Sequence, residues 1–505
     1  MTGVDVDVAV EGGGVAGPTS PAKKHRTTKG EWLVRVFFYG ALVGIPILMT
    51  LPLVREAIGI LAIVWVLVLL FMNVPVGISL ALPSLWGFYV LNGIVAVEGT
   101  LATLPYHATA SWTLTVIPMF VFMGLMLWRS GATGTLYALA TRLLGWLPGG
   151  LAVGTNFAGA GLAAVSGETV GTTYALGRAG VPEMLKRGYD PRLATASVLM
   201  AGNMGQLIPP SIFMVIYAGV ANVPVGPQLL AGLLPGVVLC LIYAVGIVTV
   251  SVLRPSLVGK GDGTSLMTNE ADPRQPSLLV AFAKALPVMV LMVTVVVGIY
   301  TGVTTATEAA AVGSFGAMLI AVLSMSPRSS TKAVGKALLD TVTNTASIFL
   351  IIIGATILTR LIAVTGVARG LVDIIIGLGL GPVSLMLLLI VVYLFIGMFM
   401  SPLVMMLVTV PILLPVIDEV GISTLVFGVF VVLLCELAIV TPPVGMLLYI
   451  MHRIVQEKDV NLGVPISLSQ IIQGALCSIP LSLLLLVLLV FFPEIAEWLP
   501  SRMSG

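Results

Sequence analysis

Apolar runs long enough to cross a lipid bilayer recur along this chain and limit what it can fold into. About 20 consecutive apolar residues span a bilayer, and such runs follow one another from residue 33 to residue 493. Charged residues make up only 9% of the sequence, against about 25% in a typical soluble domain. So few charges cannot cover a water-soluble globule, which excludes a soluble enzyme, a disordered protein and a nucleic-acid-binding protein. The sequence therefore predicts an all-α polytopic membrane protein with roughly ten or more spans.

The cysteines and histidines do not form a recognisable site. Cys240, Cys435 and Cys477 lie far apart in apolar stretches, and the three histidines are equally scattered. Neither set has the spacing of a metal site or of a disulfide framework. We expect no resident metal and no other cofactor.

The N-terminal segment differs in composition from the rest of the chain. Residues 1–31 are rich in glycine, valine and proline and end in a cluster of basic residues. A signal peptide would carry its positive charges next to its start and would end at a cleavage site, so we expect a disordered basic tail. The apolar run that follows predicts one N-terminal transmembrane helix over 32–55.

The basic residues predict how the chain is threaded through the membrane. Lysine and arginine in short loops favour the cytoplasmic side. If the N-terminal tail is cytoplasmic and the spans alternate, the basic segments 178–192, 254–284, 326–336 and 452–458 also fall inside. This requires two long apolar runs, 150–181 and 382–417, to return to the side they entered. We therefore predict two re-entrant helical hairpins, a cytoplasmic N-terminus and a C-terminus on the outer side.

The two predicted hairpins belong to an internal repeat. At a spacing of 233 residues, three features recur in the same order, namely Pro182 with Pro415, Gly188 with Gly421, and Pro209-Pro210 with Pro442-Pro443. Matches at nearby spacings extend the repeat in both directions, namely Gly131 with Gly366, Ser166 with Ser401, and Gly232 with Gly474. In the predicted threading the two copies enter the membrane from opposite sides, so the repeat is inverted. Inverted repeats with broken helices are typical of secondary transporters whose site lies near the midplane.

The chemistry is expected where the backbone leaves the helix inside the membrane. Glycine and hydroxyl residues at the first hairpin tip, and the proline pairs, free backbone carbonyls and amides that need a partner. Carbonyl and hydroxyl oxygens suit Na⁺, whereas amides at the start of a half-helix suit a carboxylate. The predicted ion-binding residues are Ser166, Gly167, Asn203, Gly205, Pro209, Gly397, Ser401, Thr441 and Pro442. The predicted substrate-binding residues are Glu168, Thr169, Pro210, Ser211, Pro402, Glu436 and Pro443.

Structural roles are open for several of these residues. Proline pairs can be plain kinks, and hydroxyls such as that of Thr169 can bond back to their own helix. Glu436 either bonds a freed backbone amide or takes a direct ion or proton role. Glu308 either caps a helix or acts in the site. The arginines that flank Gly131 and Gly366 are either interfacial anchors or carboxylate ligands.

An ordered set of motifs resembles the large membrane subunit of the tripartite ATP-independent periplasmic (TRAP) transporters, the DctM family. The resemblance runs from about residue 60 to residue 490. In chain order the motifs include NVPVGISLAL, SGETV, VPEMLKRGYD, GQLIPPSIFMVIYAG, GVTTATEAAAVG, VPILLPV and CELAIVTPPVG.

The resemblance implies an elevator-type transporter in the bacterial inner membrane, with a periplasmic C-terminus. It implies Na⁺-coupled uptake of a carboxylate-bearing organic anion, such as a C4-dicarboxylate, a sialic acid or a sugar acid. A periplasmic binding protein would deliver this anion. A small membrane subunit of about four spans is expected as a separate chain, because residues 1–55 hold only one extra span.

The resemblance also implies a division of the chain into domains. It implies a transport domain over 150–221 and 382–451, each part being one hairpin and one broken helix. It implies arm helices over 131–149 and 366–381. The remaining scaffold would comprise 56–130, 228–365 with its cytoplasmic loop 254–284, and 465–505.

Four residues depart from the family pattern. Glu168 replaces a small hydroxyl residue at the first hairpin tip, and Ser401 replaces an acidic residue at the second, so a carboxylate has moved from one tip to the other. Ala306 and Ala438 replace a proline and a glycine.

The competing function is a stand-alone anion transporter coupled to H⁺ or Na⁺ without a binding protein. An intramembrane enzyme lacks a catalytic constellation in this sequence, and a channel has little need of two inverted hairpins.

Overall fold

The computed structural model describes residues 29–259, 277–398, 400–442 and 445–503. Within these ranges all the regular structure is helical, with 22 α-helices and three short 3₁₀ turns. The tail predicted over 1–31 lies outside them except for residues 29–31, which form the first turn of α1. The first five helices are α1 (Lys29–Met49), α2 (Arg55–Phe71), α3 (Val76–Asn92), α4 (Ile94–Thr109) and α5 (Val116–Arg129).

The helix α4 was not predicted as a separate element. Glu98, Pro105 and His107 interrupt its apolar composition, so the hydropathy pattern gave no span there. It packs against α3 and against α14 (Pro327–Thr365). The predicted N-terminal helix is present as α1, and Trp86 of α3 donates a hydrogen bond to the Pro46 carbonyl at 3.0 Å.

The two copies of the repeat have matching helices. The first copy contains α6 (Ala132–Leu144), α7 (Gly150–Ser166), α8 (Thr169–Lys186), α9 (Pro191–Asn203), α10 (Ile212–Ala221) and α11 (Val225–Leu253). The second contains α15 (Val367–Gly377), α16 (Pro382–Gly397), α17 (Pro402–Val420), α18 (Thr424–Ala438), α19 (Met446–Ile454) and, after the short α20 (Lys458–Asn461), α21 (Leu468–Phe491). Between the copies lie α12 (Leu278–Tyr300), α13 (Ala306–Ser324) and α14, and α22 (Glu494–Glu497) follows them.

Paired glycines make the same turns in both copies. Gly131 and Gly366 have φ of 76° and 77°, and Gly188 and Gly421 have φ of 78° and 77°. A residue with a Cβ costs about 1–2 kcal/mol in this left-handed region. The recurrence of glycine in the sequence therefore reflects a recurring backbone conformation.

The packing between the copies is reciprocal. The helix α10 packs on α17 while α19 packs on α8, and α11 packs on α18 while α21 packs on α9. The last helices of the two copies, α11 and α21, also pack against each other. In a twofold arrangement, each contact between two different elements occurs twice in this exchanged form. The two copies are thus related by a pseudo-twofold axis.

Both predicted hairpins fold back on themselves. A Cβ placed on Gly180 of α8 would lie 3.3 Å from Thr155 Oγ1 of α7, and these residues are equally far from the turn after Ser166. The hydroxyls of Tyr393 and Thr409 form a hydrogen bond across α16 and α17. Each run therefore returns to the end from which it started, and the prediction of two helical hairpins is confirmed.

The basic segment 326–336, predicted to be cytoplasmic, begins a helix. Its three basic residues lie on the first turns of α14, a helix of 39 residues. Helices α11 and α21 were assigned to the scaffold, yet they pack against the hairpins and broken helices. We call α7–α11, α16–α19 and α21 the hairpin body, and α1–α5 and α12–α14 the scaffold.

Fewer continuous spans are present than the ten or so expected. Within the described ranges, seven helical segments have the length and composition of a span: Trp112–Arg129, α11, α12, α13, α14, α17 and α21. Helices α15 and α16 form one further apolar pair bent by 119°. Several other apolar helices, among them α3, α10 and α18, are shorter, because turns at Pro209-Pro210 and Thr441-Pro442 divide two of the runs.

Candidate functional site

The tip of the first hairpin packs closely against the non-helical turn between α9 and α10. Gly167 directly follows the last residue of α7 and has φ of 57°, and a Cβ there would lie 2.6 Å from the Pro210 carbonyl oxygen. A Cβ on Gly205 would lie 3.0 Å from the backbone of Thr169. A Cβ at Gly167 would therefore clash with backbone, and a Cβ at Gly205 would require its neighbours to shift. The structure thus brings Gly167, Thr169, Gly205 and Pro210 together, while Pro209 lies buried in the same turn.

A hydrogen bond joins this tip to the second copy of the repeat. Thr169 Oγ1 donates to Glu436 Oε2 at 2.6 Å. The two residues are 3% and 1% exposed. Glu436 lies near the end of α18, and so the bond connects the first hairpin to the broken helix of the other copy. A carboxylate in such a place must be matched by donors, by a cation or by a proton.

Asn203 occupies the position in α9 that matches Glu436 in α18. It is 1% exposed, and its Oδ1 atom has no hydrogen-bond partner in the described part of the chain. The same holds for the hydroxyl of Thr173, which lies against Gly202. Buried oxygens of this kind carry a desolvation cost of about 1–3 kcal/mol when unpaired. They fit a bound cation or an ordered water, since oxygen donors suit hard cations.

Glu168 and Ser211 lie directly before α8 and α10, respectively. Glu168 precedes α8 in an extended conformation. Ser211 precedes α10, where its hydroxyl accepts from Met214 N at 3.2 Å and donates to the Gln206 carbonyl. The hydroxyl of Ser211 is therefore engaged as a helix cap, and this does not support its predicted role as a direct substrate ligand. Ser166 ends α7.

The second hairpin packs on the second broken helix in a similar way. A Cβ on Gly397 would lie 2.1 Å from Ala438 Cβ. Thr441 Oγ1 donates to the Leu437 carbonyl at 2.8 Å, so this hydroxyl bonds back to its helix, and Pro442 follows it in the turn. Pro443 lies outside the described residues.

The second hairpin tip faces a different pocket from the first. Ser401 precedes α17, and Pro402 is its buried first residue. Ser401 lines a cavity of about 370 Å³ together with residues 73–76 at the turn between α2 and α3. The structure does not bring Ser401 to the cavity that Glu168 lines.

A larger cavity lies between the first hairpin and the scaffold. Its volume is about 580 Å³. It is bordered by the starts of α8 and α10, by α5 and α14 of the scaffold, and by Leu403 of the second hairpin. Its walls are mostly apolar, with a few polar side chains among them: Glu168, Thr172, Gln206, Asn344 and Ser347. A largely apolar pocket with a few placed polar groups is typical of a small-molecule site.

Asn344 and Ser347 were not among the predicted site residues. They lie on α14, in the segment TVTNTAS within an apolar run. Polar side chains inside a membrane helix are a recognisable signal, but the sequence does not show which face of α14 they occupy.

Two alternatives left open by the sequence now have structural answers. Glu308 and Thr305 form a complete capping box at the start of α13, which favours the structural role of Glu308. Arg129 forms an ion pair with Asp340 of α14, so this arginine joins two scaffold helices. Among the described residues, no group of three or more histidine, cysteine or acidic side chains could hold a metal.

The sequence matches known proteins over most of its length. It is 27% identical over 470 residues to the C4-dicarboxylate TRAP transporter large permease protein DctM of Vibrio cholerae, covering 88% of this chain and 98% of that protein. It is 28% identical over 438 residues to the sialic acid TRAP transporter large permease protein SiaM of the same organism, covering 86% and 97%.

The fold also resembles a solved transporter structure. The YdaH transporter of Alcanivorax borkumensis superposes with a TM-score of 0.57, covering 81% of this chain and 89% of that one at 14% identity. The family model described as tripartite ATP-independent periplasmic transporter, DctM component, matches residues 63–495. This chain therefore belongs to the DctM family of TRAP transporters and is a transporter permease subunit, not an enzyme.

Proposed function

We propose that this permease carries out Na⁺-coupled uptake of a carboxylate-bearing organic anion by an elevator movement of the hairpin body. The observation that carries this proposal is the cavity of about 580 Å³ that both hairpins and the scaffold border. A site between two bodies is exposed to one side or the other when one body slides along the other.

The groups that line this cavity support this substrate class. The first residues of α10, Ile212 and Phe213, border it. The positive end of the α10 dipole favours an anion at this place, while the Phe213 and Met214 amides bond Gln206 Oε1 and Ser211 Oγ. Gln206, Asn344 and Ser347 supply further hydrogen bonds. The two relatives named above act on C4-dicarboxylates and sialic acid, and both of these carry a carboxylate, so we extend this class to the present chain.

The coupling ion is proposed from the oxygen atoms around the tip. Thr169 has two carboxylates as neighbours. Glu168 precedes it in the chain, and Glu436 accepts its hydrogen bond. A cation would offset their charge and would draw the anionic substrate to the same place. We propose that backbone oxygens near Gly167, Gly205 and Pro209 complete one Na⁺ site with Asn203, and that Gly397, Ser401, Thr441 and Pro442 contribute to a second.

The partners are proposed from family membership. A periplasmic binding protein would deliver the substrate, and a separate small membrane subunit would enlarge the scaffold. In this arrangement the protein lies in the inner membrane with its N-terminus in the cytoplasm.

Proteoliposome uptake tests the proposal. The permease is reconstituted with or without the small subunit, and its cognate binding protein is added outside with labelled succinate or N-acetylneuraminate. We expect accumulation of one of these anions only when an inward Na⁺ gradient and all three proteins are present. Accumulation by this chain alone would contradict the proposed partnership, and accumulation without Na⁺ would contradict the proposed coupling.

A second candidate is a stand-alone transporter driven by protons. The burial of the Glu436 carboxylate, with one hydroxyl partner, favours it, because a buried acid can bind a proton during transport. In that case a pH gradient alone would drive uptake by the isolated chain, and a Glu168→Gln or Glu436→Gln substitution would remove the pH dependence.

A further inference from the structure

A deep groove runs along the outside of the hairpin body, away from the candidate site. Its volume is about 790 Å³, and its walls come from α9, α11 and α21. None of its lining residues lines the cavity at the first hairpin tip. The substrate pathway therefore does not account for it.

Most of this groove is apolar and faces outward. Leu241, Val245 and Leu484 line it and are exposed. Along α11 it extends from Val238 to Arg254, a length of about 24 Å at 1.5 Å per residue. The hydrocarbon of one leaflet is about 15 Å thick. The groove is thus long enough for an acyl chain that lies along the helix.

One end of the groove is basic. Arg192 at the start of α9 and Arg254 after the end of α11 both line it, together with Gln473 near the start of α21. Backbone contacts fix this end. Asp190 N donates to the Leu257 carbonyl at 2.8 Å, and a Cβ on Gly474 would lie 2.4 Å from the Arg192 carbonyl oxygen.

The charges at this end are only partly offset within the protein. Asp190 Oδ1 lies 3.9 Å from Arg192 Nε, a long contact. Nearby, Glu183 pairs with Lys186 and Arg187. In the described ranges, no carboxylate lies within ion-pairing distance of Arg254. Among the described residues, Arg192 and Arg254 against Asp190 leave one positive charge in excess beside the apolar groove.

We propose that the groove binds an anionic phospholipid, with its phosphate at Arg192 and Arg254 and an acyl chain between α11 and α21. Basic pockets between transmembrane helices bind anionic head groups in this way. Because α9, α11 and α21 belong to the hairpin body, the lipid would be attached to that body rather than to the scaffold.

Photocrosslinking tests this proposal without any transport assay. The full-length permease is placed in phosphatidylcholine nanodiscs with a trace of phosphatidylglycerol that carries a diazirine in one acyl chain. Crosslinked residues are identified by mass spectrometry. We expect crosslinks along 238–250 and 473–484. Unlabelled phosphatidylglycerol should displace the probe at about tenfold lower concentration than added phosphatidylcholine.

Charge variants show whether the arginines select the lipid. The pair Arg192→Gln and Arg254→Gln should lower groove crosslinking about tenfold, whereas Arg192→Lys with Arg254→Lys should retain it. Arg453→Gln, which removes an exposed arginine elsewhere, serves as the matched control. Equal displacement by both lipids, or unchanged crosslinking in the Gln pair, would overturn the proposal. If soluble glycerol phosphate displaced the probe equally well, the arginines would form a site for free phosphate compounds, and the proposal of a bound phospholipid would be overturned.

Discussion

The hydrogen bond between Thr169 and Glu436 joins residues that lie 267 positions apart. It connects the first hairpin tip to the second copy of the repeat. The sequence indicated both residues separately, because each breaks the apolar pattern. It could not indicate that they meet, since this depends on how the two copies are rotated about the pseudo-twofold axis.

Replacing Thr169 by valine tests this contact. The change preserves shape and removes the donor, so Glu436 loses a partner in a buried place. We expect a loss of about 1–3 kcal/mol in unfolding free energy, measured in detergent, and a fall in uptake of about tenfold or more. Thr169→Ser should retain most of both. Thr195→Val is the control, because that buried hydroxyl bonds only its own helix; an equal effect there would contradict a special role for Thr169.

The first hairpin tip also requires a glycine at position 167. An alanine at this position would need φ near 57° and would meet the Pro210 carbonyl. We expect Gly167→Ala to lower the unfolding free energy by about 1–2 kcal/mol and to impair uptake. Gly161→Ala in α7 is the matched control, since the nearest atom to its Cβ would be 3.7 Å away. Similar thermal stability and uptake of the two variants would show that the tip does not need glycine.

At the scale of elements, charge and proline patterns predicted the hairpins and the broken helices correctly. Only hairpins keep the basic segments on one side, and only a break accommodates a proline pair within an apolar run. The charge pattern did not indicate where α14 begins, because Arg328, Lys332 and Lys336 lie within its first turns. The cavity residues Asn344 and Ser347 were missed on this same helix.

The start of α13 gives an element-scale prediction. Glu308 Oε2 accepts from Thr305 N at 2.8 Å, and Thr305 Oγ1 accepts from Glu308 N at 3.2 Å. Glu308→Gln keeps this capping box, so we expect unchanged uptake and unchanged Na⁺ dependence. Glu308→Ala removes the carboxylate that accepts from Thr305 N, so we expect it to lower the unfolding free energy relative to the Gln variant. A shift in the Na⁺ dependence of the Gln variant would instead assign Glu308 to the ion pathway.

At the scale of the whole molecule, the repeat spacing predicted a duplicated architecture, and the reciprocal packing shows it. The sequence predicted α11 and α21 as scaffold helices, whereas both pack on the hairpins and broken helices, because span order does not reveal which helices pack together. Their contacts with α9 and α18 enlarge the hairpin body to ten helices. The scaffold and this body meet at several helix pairs, among them α5 with α7 and α14 with α17. Another contact joins Leu114, before α5, to Gly219 of α10, where a Cβ on Gly219 would lie 3.1 Å from Leu114 Cδ2.

Crosslinking at this junction tests most directly whether the hairpin body moves against the scaffold. In a Cys477→Ser background, Leu114→Cys with Gly219→Cys would be joined by oxidation or by a short thiol reagent, and uptake would be measured before and after reduction. Thr155→Cys with Gly180→Cys, within the hairpin body, is the matched control. We predict that the Leu114–Gly219 crosslink abolishes uptake reversibly while the control crosslink does not. Full uptake with Leu114 and Gly219 crosslinked would contradict movement of the hairpin body against the scaffold.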